Sequence, residues 1–302
     1  MYSAVGPKLS HWLLSRQLRR IYLTHPVTVQ RGPATIVSTV AQHSVAMYLI
    51  AIKSFCARLH GLDGAIVAFV DDAMPEQRKT MLREHVRGIE LISSSSAHST
   101  RWRRRGGSPH PTRQGEFVIE LKPETICLGD IDEIRACIVG NIPFVMAGPC
   151  SAQTLSNSGA VGLELTTLID SGQLEYVRAS AGLAGFPRMG HCQVERHAVH
   201  RRRIVGLLKG ETWRRSGEGE CGLSFAATKE SCWAVLPWTD YVSLAPKVAI
   251  SHHPKLLHFS DPFGSQARQY ERFATAFIHS RIDLETPPLW QAGEFQVPWR
   301  KC

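Results

Sequence analysis

The stretch Phe117-Val-Ile-Glu-Leu-Lys-Pro-Glu-Thr-Ile-Cys-Leu-Gly-Asp-Ile-Asp-Glu-Ile134 decides how this chain is read. Phe117 to Leu121 is apolar and partly β-branched, the composition of a buried strand. Lys122, Pro123 and Glu124 interrupt it with a polar turn, and a second short apolar run follows. Asp130, with Glu133 three residues later, matches a capping box and predicts a helix over Ile131 to Val139. Asp130-Ile131-Asp132 also spells two carboxylates at a spacing that can share a divalent ion. Their place at a helix start, several residues beyond the strand, assigns them to capping.

Upstream, strands and helices alternate. Ala34 to Val40 reads as a buried strand, and Val45 to Leu59 as a helix with Met47, Ile50, Ile52 and Phe55 among its apolar positions. Gly64 to Val70 is a second strand, ending at Asp71-Asp72. Pro75 opens a helix through about Val86, and Ile89 to Ile92 is a third strand. This alternation is the signature of a parallel sheet with crossover helices. Ligands bind such sheets beyond the carboxyl ends of the strands, here around Ala41 and Asp71-Asp72.

Ser93 to Gln114 breaks the periodicity with serines, arginines, two glycines and two prolines, and reads as a mobile loop. Farther on, Asn141 to Met146 is a strand and Tyr176 to Phe186 a small-residue strand or turn. Val199 to Gly210 is a basic helical stretch. Trp233 to Trp238 and Tyr241 to Leu244 are short strands, and His258 to Ile282 ends in an amphipathic helix. The organisation expected is a helical extension over 1–33, one α/β domain over 34–282, and an irregular Pro- and Trp-rich tail over 283–302.

At 302 residues, 43% hydrophobic and 20% charged, the composition is that of an ordinary globular protein with a full-sized core. The formal charge of +9 gathers in Arg101 and Arg103 to Arg105, in Arg201 to Arg203, and in Arg214 and Arg215. Such runs attract polyanions or form solvated basic faces. No zinc spacing, basic zipper or aromatic-interleaved RNA motif accompanies them, which argues against nucleic acid as the partner. Eight cysteines without a C-x-x-C pair read as free thiols in a reducing compartment. No apolar run approaches the ~20 residues of a membrane span, and Met1 to Thr24 lacks a signal-peptide core. His11 to Tyr22 has helical apolar spacing with arginines opposite, suited either to packing on its own domain or to an anionic membrane surface. A cytoplasmic protein, in peripheral contact with an inner membrane at most, is expected.

In the order and spacing of these segments the chain resembles a bacterial family of GT-A-fold nucleotide-sugar glycosyltransferase-like proteins, distantly similar to retaining galactosyltransferases of the glycogenin type. The resemblance covers about residues 34 to 280. Ile36 to Phe55 is similar to the family's first strand and helix, and Phe69-Val-Asp-Asp72 to its second strand. Phe117 to Ile134 is similar to its metal strand, turn and following helix start. Tyr176 to Phe186 resembles the small-residue strand beneath the donor sugar, where glycine and serine let backbone approach a ligand. Leu256-Leu-His-Phe259 resembles the late histidine segment that completes the metal site. The fold implied is α/β of GT-A type: a mixed, mostly parallel sheet flanked by helices.

The function implied is transfer of a hexose from a nucleotide-diphosphate sugar to an acceptor. Val40, Ala41 and Asp72 would flank base and ribose. Lys122 and Arg178 would face the diphosphate, with Ser180 and Gly182 beneath the sugar. Glu124 and His258 would hold a manganese or magnesium ion, and Glu218 or Glu220 would face the acceptor. The departures fall on the same cleft. Where the family has Asp-Ser-Asp this chain has Lys122-Pro123-Glu124, and a lysine there opposes a cation but can neutralise a diphosphate itself. The Gln and Asn expected near Gly217 to Phe225 are missing, and a glycine-containing phosphate loop is replaced by Ser260-Asp261-Pro262. Weak or absent turnover is the expectation that follows. A catalytically silent binding protein and a basic protein for polyanions or membrane surfaces are the alternatives.

Overall fold

Strands buried on both faces set the centre of the structure. The computed structural model describes residues 14, 16–29, 32–94, 116–148, 179–188, 233–244 and 253–282. In it β2 (Ala34–Val40) buries every residue but Thr39. β3 (Asp63–Val70) and β6 (Phe117–Leu121) lie on either side of it, both parallel, with Val37 opposite Val67 and Ile36 opposite Ile119. Parallel strands need crossovers that cover the sheet's faces, which is why these strands are apolar runs and not alternations. The first crossover, α1 (Val45–Leu59), buries Met47 through Phe55 without a gap. The second, α2 (Glu76–His85), buries only Leu82 and leads to β5 (Glu90–Ser93) beside β3. A short parallel pair, β1 (Val27–Thr28) with β4 (Val86–Arg87), ties the N-terminal segment to the end of α2.

Beyond β6 the sheet becomes mixed. β8 (Phe144–Ala147), β9 (Ala179–Phe186) and β10 (Ala234–Leu236) complete seven strands in the order β10-β8-β9-β6-β2-β3-β5. β9 is antiparallel to both neighbours, and β10 is parallel to β8. A second sheet of three strands sets β12 (Leu256–Phe259) between β11 (Tyr241–Leu244) and β7 (Thr125–Cys127). α4 (Ala267–Ile282) buries Tyr270, Phe273, Ala274, Phe277 and Ile278, the three-and-four spacing of one apolar face. Alternation along β6 sends Phe117, Ile119 and Leu121 into the large core around α1. Val118 goes to a smaller core with Val37, Phe69, Val145 and Phe186. The mixed, mostly parallel sheet flanked by helices is the architecture expected, with β3, β2 and β6 adjacent.

Several boundaries differ from the sequence reading. Pro75 stands just before α2, and Val86 already belongs to β4. The capping box does not form: α3 (Asp132–Gly140) starts after Ile131, with no side-chain cap. Asp130 is drawn instead to Arg58 at 3.1 Å, while Glu133 accepts from the Tyr241 hydroxyl at 2.9 Å and pairs with Lys255. Partners distant in sequence, two of them cations, outcompete neutral amides for those carboxylates. Arg101, Arg103 to Arg105, Arg201 to Arg203, Arg214 and Arg215, the stretch 199–210, Arg178, Glu218, Glu220 and the tail 283–302 lie outside the described residues. Among the described residues no helix is long and apolar enough to cross a membrane.

β9 is built of small residues because its neighbours leave no space. A Cβ on Gly185 would come within 2.1 Å of Phe144 Cε1, and the Phe144 ring is itself stacked on Phe117 at 6.1 Å between centroids. Gly185→Ala is expected to lower unfolding free energy by at least about 1–3 kcal/mol in urea denaturation. Adding Phe144→Leu should recover part of that loss. An unchanged midpoint in Gly185→Ala would mean that β9 stands off from Phe144.

Candidate functional site

The carboxyl ends of β2, β3 and β6 fall on one edge of the sheet, and the chain leaves that edge through Ala41, Asp71 and Lys122. After β2, the Ala41 N–H donates to Ser44 Oγ and the Ser44 hydroxyl returns a bond to Ala41 O, both at 3.0 Å. This reciprocal pair turns the chain into α1. Val40 is fully buried, so only its backbone is offered to the edge, while Ala41 is half-buried. After β3, Asp71 Oδ1 accepts from the Ala73 N–H at 3.1 Å, and the exposed Asp72 accepts from the Ser93 hydroxyl at the end of β5.

The turn after β6 carries the chain from the large sheet into the small one. Lys122 N–H donates to Gly182 O at 3.0 Å, a last rung toward β9. Lys122 O then accepts from the Thr125 N–H at 3.2 Å and from the Thr125 hydroxyl at 2.7 Å, closing a turn with Pro123 at its second position. β7 begins at Thr125, which stands opposite His258 on β12. Ser243 of β11 stands beside the same histidine.

His258 is 7% exposed. Its Nδ1 is 3.2 Å from both Ser180 Oγ and Ser243 Oγ. A Cβ on Gly182 would lie 2.4 Å from His258 Cγ, so the imidazole rests where any other residue of β9 would have its side chain. Burial, and then the charge of Lys122, push the His258 pKa down to about 4. The ring is therefore neutral near pH 7. The Lys122 ammonium is 3.7 Å from Glu120 Oε1, one alternation back along the same strand. Burial raises Glu124 above the usual carboxyl range, against a backbone hydrogen bond and the charges of Lys122 and His43. Glu124 also helps raise the phenol of Tyr270, whose buried hydroxyl has no hydrogen-bond partner.

Asp261 does not confront a ligand. Its Oδ2 accepts from the Ser265 N–H at 2.8 Å and from the Ser265 hydroxyl at 3.1 Å, so the carboxylate organises its own loop ahead of α4. Gln266 locks that loop to β11 by donating to Leu244 O at 2.8 Å. The structure thus brings together Lys122, Ser180, Gly182 and His258 of the expected residues, with Ala41 and Asp72 farther along the same edge. The sequence reading missed Ser243; its only signal was a hydroxyl inside the apolar run Tyr241 to Leu244.

No protein-family model matches this chain, and no curated protein matches it. Among solved structures it is similar to the galactosyltransferase LgtC in complex with donor and acceptor sugar analogs, at 10% identity and TM-score 0.47, over 80% of this chain and 95% of that one. It is similar to the glycosyltransferase GlyE of Streptococcus pneumoniae TIGR4, at 13% identity and TM-score 0.48, over 87% of this chain and 66% of that one. It is also similar to the bifunctional glycosyltransferase WbbM, at 12% identity and TM-score 0.45, over 76% of this chain. The chain spans 46% of WbbM and about two thirds of GlyE. These are loose likenesses of fold.

Those residues do not fit a divalent cation. Such an ion needs several oxygen or nitrogen ligands, most of them anionic. Among the described residues no three His, Cys, Asp or Glu side chains gather into a group that could hold one. The expected pair, Glu124 and His258, belongs to no such group among the described residues. Glu124 is acted on by Lys122 and His43, and His258 by Lys122. The backbone of Glu124 accepts from the Phe259 N–H at 3.0 Å, one position past the Thr125 and His258 pair. An ammonium lies near both.

The neutral burial of His258 has a measurable consequence. Its folded pKa of about 4 lies below the ordinary value of 6.5, so stability is fully present above pH 6.5 and is lost as pH falls through 4. The slope in that window is about 1.4 kcal/mol per pH unit. His258→Gln should flatten urea-derived stability between pH 6.5 and 5 by about 2 kcal/mol relative to the parent. Glu124, shifted in the opposite sense, is common to both proteins and largely cancels. Parallel profiles for the two proteins would place the imidazole in water.

Proposed function

We propose that the carboxyl edge of the sheet binds the diphosphate of a nucleotide-sugar and that the protein is a glycosyltransferase in which Lys122 does the electrostatic work of a metal ion. The observation that carries this reading is the Lys122 turn. Three parallel strands end on one edge, and at the end of the third a lysine stands beside a buried neutral histidine, a serine hydroxyl and a bare glycine backbone. Ala41 and Asp72 flank the nucleoside, Asp72 accepting from ribose hydroxyls. Lys122, with Arg178, neutralises the charge that grows on the diphosphate as it leaves the anomeric carbon. Ser180 and Gly182 let the sugar approach β9. Glu218 or Glu220 takes the proton of the acceptor hydroxyl as its oxygen bonds to that carbon. A single ammonium spreads less charge over two phosphates than a divalent ion does, so slow turnover is expected.

Calorimetric titration with a uridine-diphosphate hexose tests the proposal. Binding should be the same with manganese and with a chelator, and Lys122→Ala should weaken it at least tenfold, about 1.4 kcal/mol. Binding that requires manganese would overturn the role of Lys122. No binding in a folded sample would overturn the nucleotide-sugar reading. Binding with no sugar transfer to any acceptor would make the chain a silent binding protein of the same fold.

A further inference from the structure

Away from that edge, near the amino end of β3, lies a pocket of about 260 Å³ lined by Thr24, His25, Lys53, Cys56, Asp63 and Arg281, among others. Two of its walls are cations from different helices. Lys53, in the middle of α1, is 4% exposed. Its Nζ is 2.7 Å from Thr24 Oγ1, 2.8 Å from His25 O, 3.3 Å from Thr24 O and 3.1 Å from His85 Nδ1. All four neighbours are polar but uncharged, since burial and Lys53 itself hold His85 below its ordinary pKa. They satisfy the ammonium's protons and leave its charge uncompensated.

Arg281, in the last turn of α4, sets its guanidinium carbon 5.5 Å from the Phe277 ring centroid. Its N–H groups have no hydrogen-bond or ion-pair partner among the described residues. The charge that acts on Lys53 is Arg281, and the charge that acts on Arg281 is Arg58. Arg58 already pairs with Asp130. Asp63 is the one carboxylate of the lining; after burial, it is the charge that helps raise the Cys56 thiol. Two like charges facing one polar hollow, one buried and the other with five idle donors, are complementary to an oxyanion.

We propose that this pocket binds a phosphate group, inorganic or carried by a small monoester. Arg281 acts as the hydrogen-bonding fork and Lys53 as the buried counter-charge. The volume admits a tetrahedral oxyanion with a body of a few carbons, being about nine times the ~30 Å³ share of one water. It falls below the ~300 Å³ at which drug-sized sites begin.

The test uses the whole chain, with inorganic phosphate and glycerol phosphate as probes in thermal unfolding and calorimetry. Sodium chloride at equal ionic strength is the reference. Both probes should raise Tm saturably. Arg281→Gln should weaken binding tenfold or more, Arg281→Lys should keep part of it, and Lys122→Ala should leave it unchanged. Lys53→Met also removes the anchor of Thr24, so the half-exposed Arg281 carries the decision. Saturable binding of the monoester alone would place the phosphate on a larger ligand and still support the site. No saturable rise beyond the chloride reference would overturn the proposal. So would a rise that survives in Arg281→Gln or disappears in Lys122→Ala, which would put the anion at the other edge.

Discussion

The imidazole of His258 rests on the backbone of Gly182, and that contact holds the two sheets together at the candidate site. It demands glycine on β9, because a single added carbon would lie 2.4 Å from the ring. Two hydroxyls meet the ring's Nδ1, because a buried imidazole without hydrogen bonds would cost stability. Ser180 supplies one from the large sheet and Ser243 the other from the small sheet. The Lys122 turn feeds the same junction, passing the chain from β6 to β7 and setting Thr125 opposite the histidine. Position and chemistry are therefore inseparable here: the groups that join the sheets are the groups that line the edge.

The electrostatic character of the edge follows from one cation. Lys122 is the cation that acts on both His258 and Glu124. The imidazole is held neutral, so it acts as a hydrogen-bond partner and carries no charge. Burial raises the Glu124 pKa, outweighing the attraction of Lys122. Asp261 accepts from the Ser265 N–H and hydroxyl and keeps its charge.

What could be read from the chain alone was what depends on neighbours in sequence. The apolar runs of β2, β3 and β6 and the periodicity of α1 and α4 are local patterns, and those elements stand close to where the patterns place them. Asp130 and Glu133 were misread as a cap because their true partners, Arg58, Tyr241 and Lys255, are far away in sequence. Ser243 was invisible for the same reason, being one hydroxyl in a strand until β12 brings His258 beside it. Lys53 is the extreme case. A lysine in a helix normally reads as surface, and only the fold shows it enclosed by Thr24, His25 and His85.

The position of β9 constrains how the protein is made. β8 pairs only with β9 and β10, both of which come later in the chain, and β9 alone joins β8 to β6. During synthesis, β2, β3, β5 and β6 can assemble as soon as residue 121 has emerged, but their sheet then ends in an open edge at β6. β8 must wait without a strand partner until residues 179–186 arrive. A growing polypeptide with a bare strand edge and an unpaired apolar segment invites association with other chains. The small side chains of β9 serve this step as well as the finished site, since a strand that is alanine, serine or glycine at all positions but Leu183 and Phe186 can slot into a narrow gap between two elements already in place.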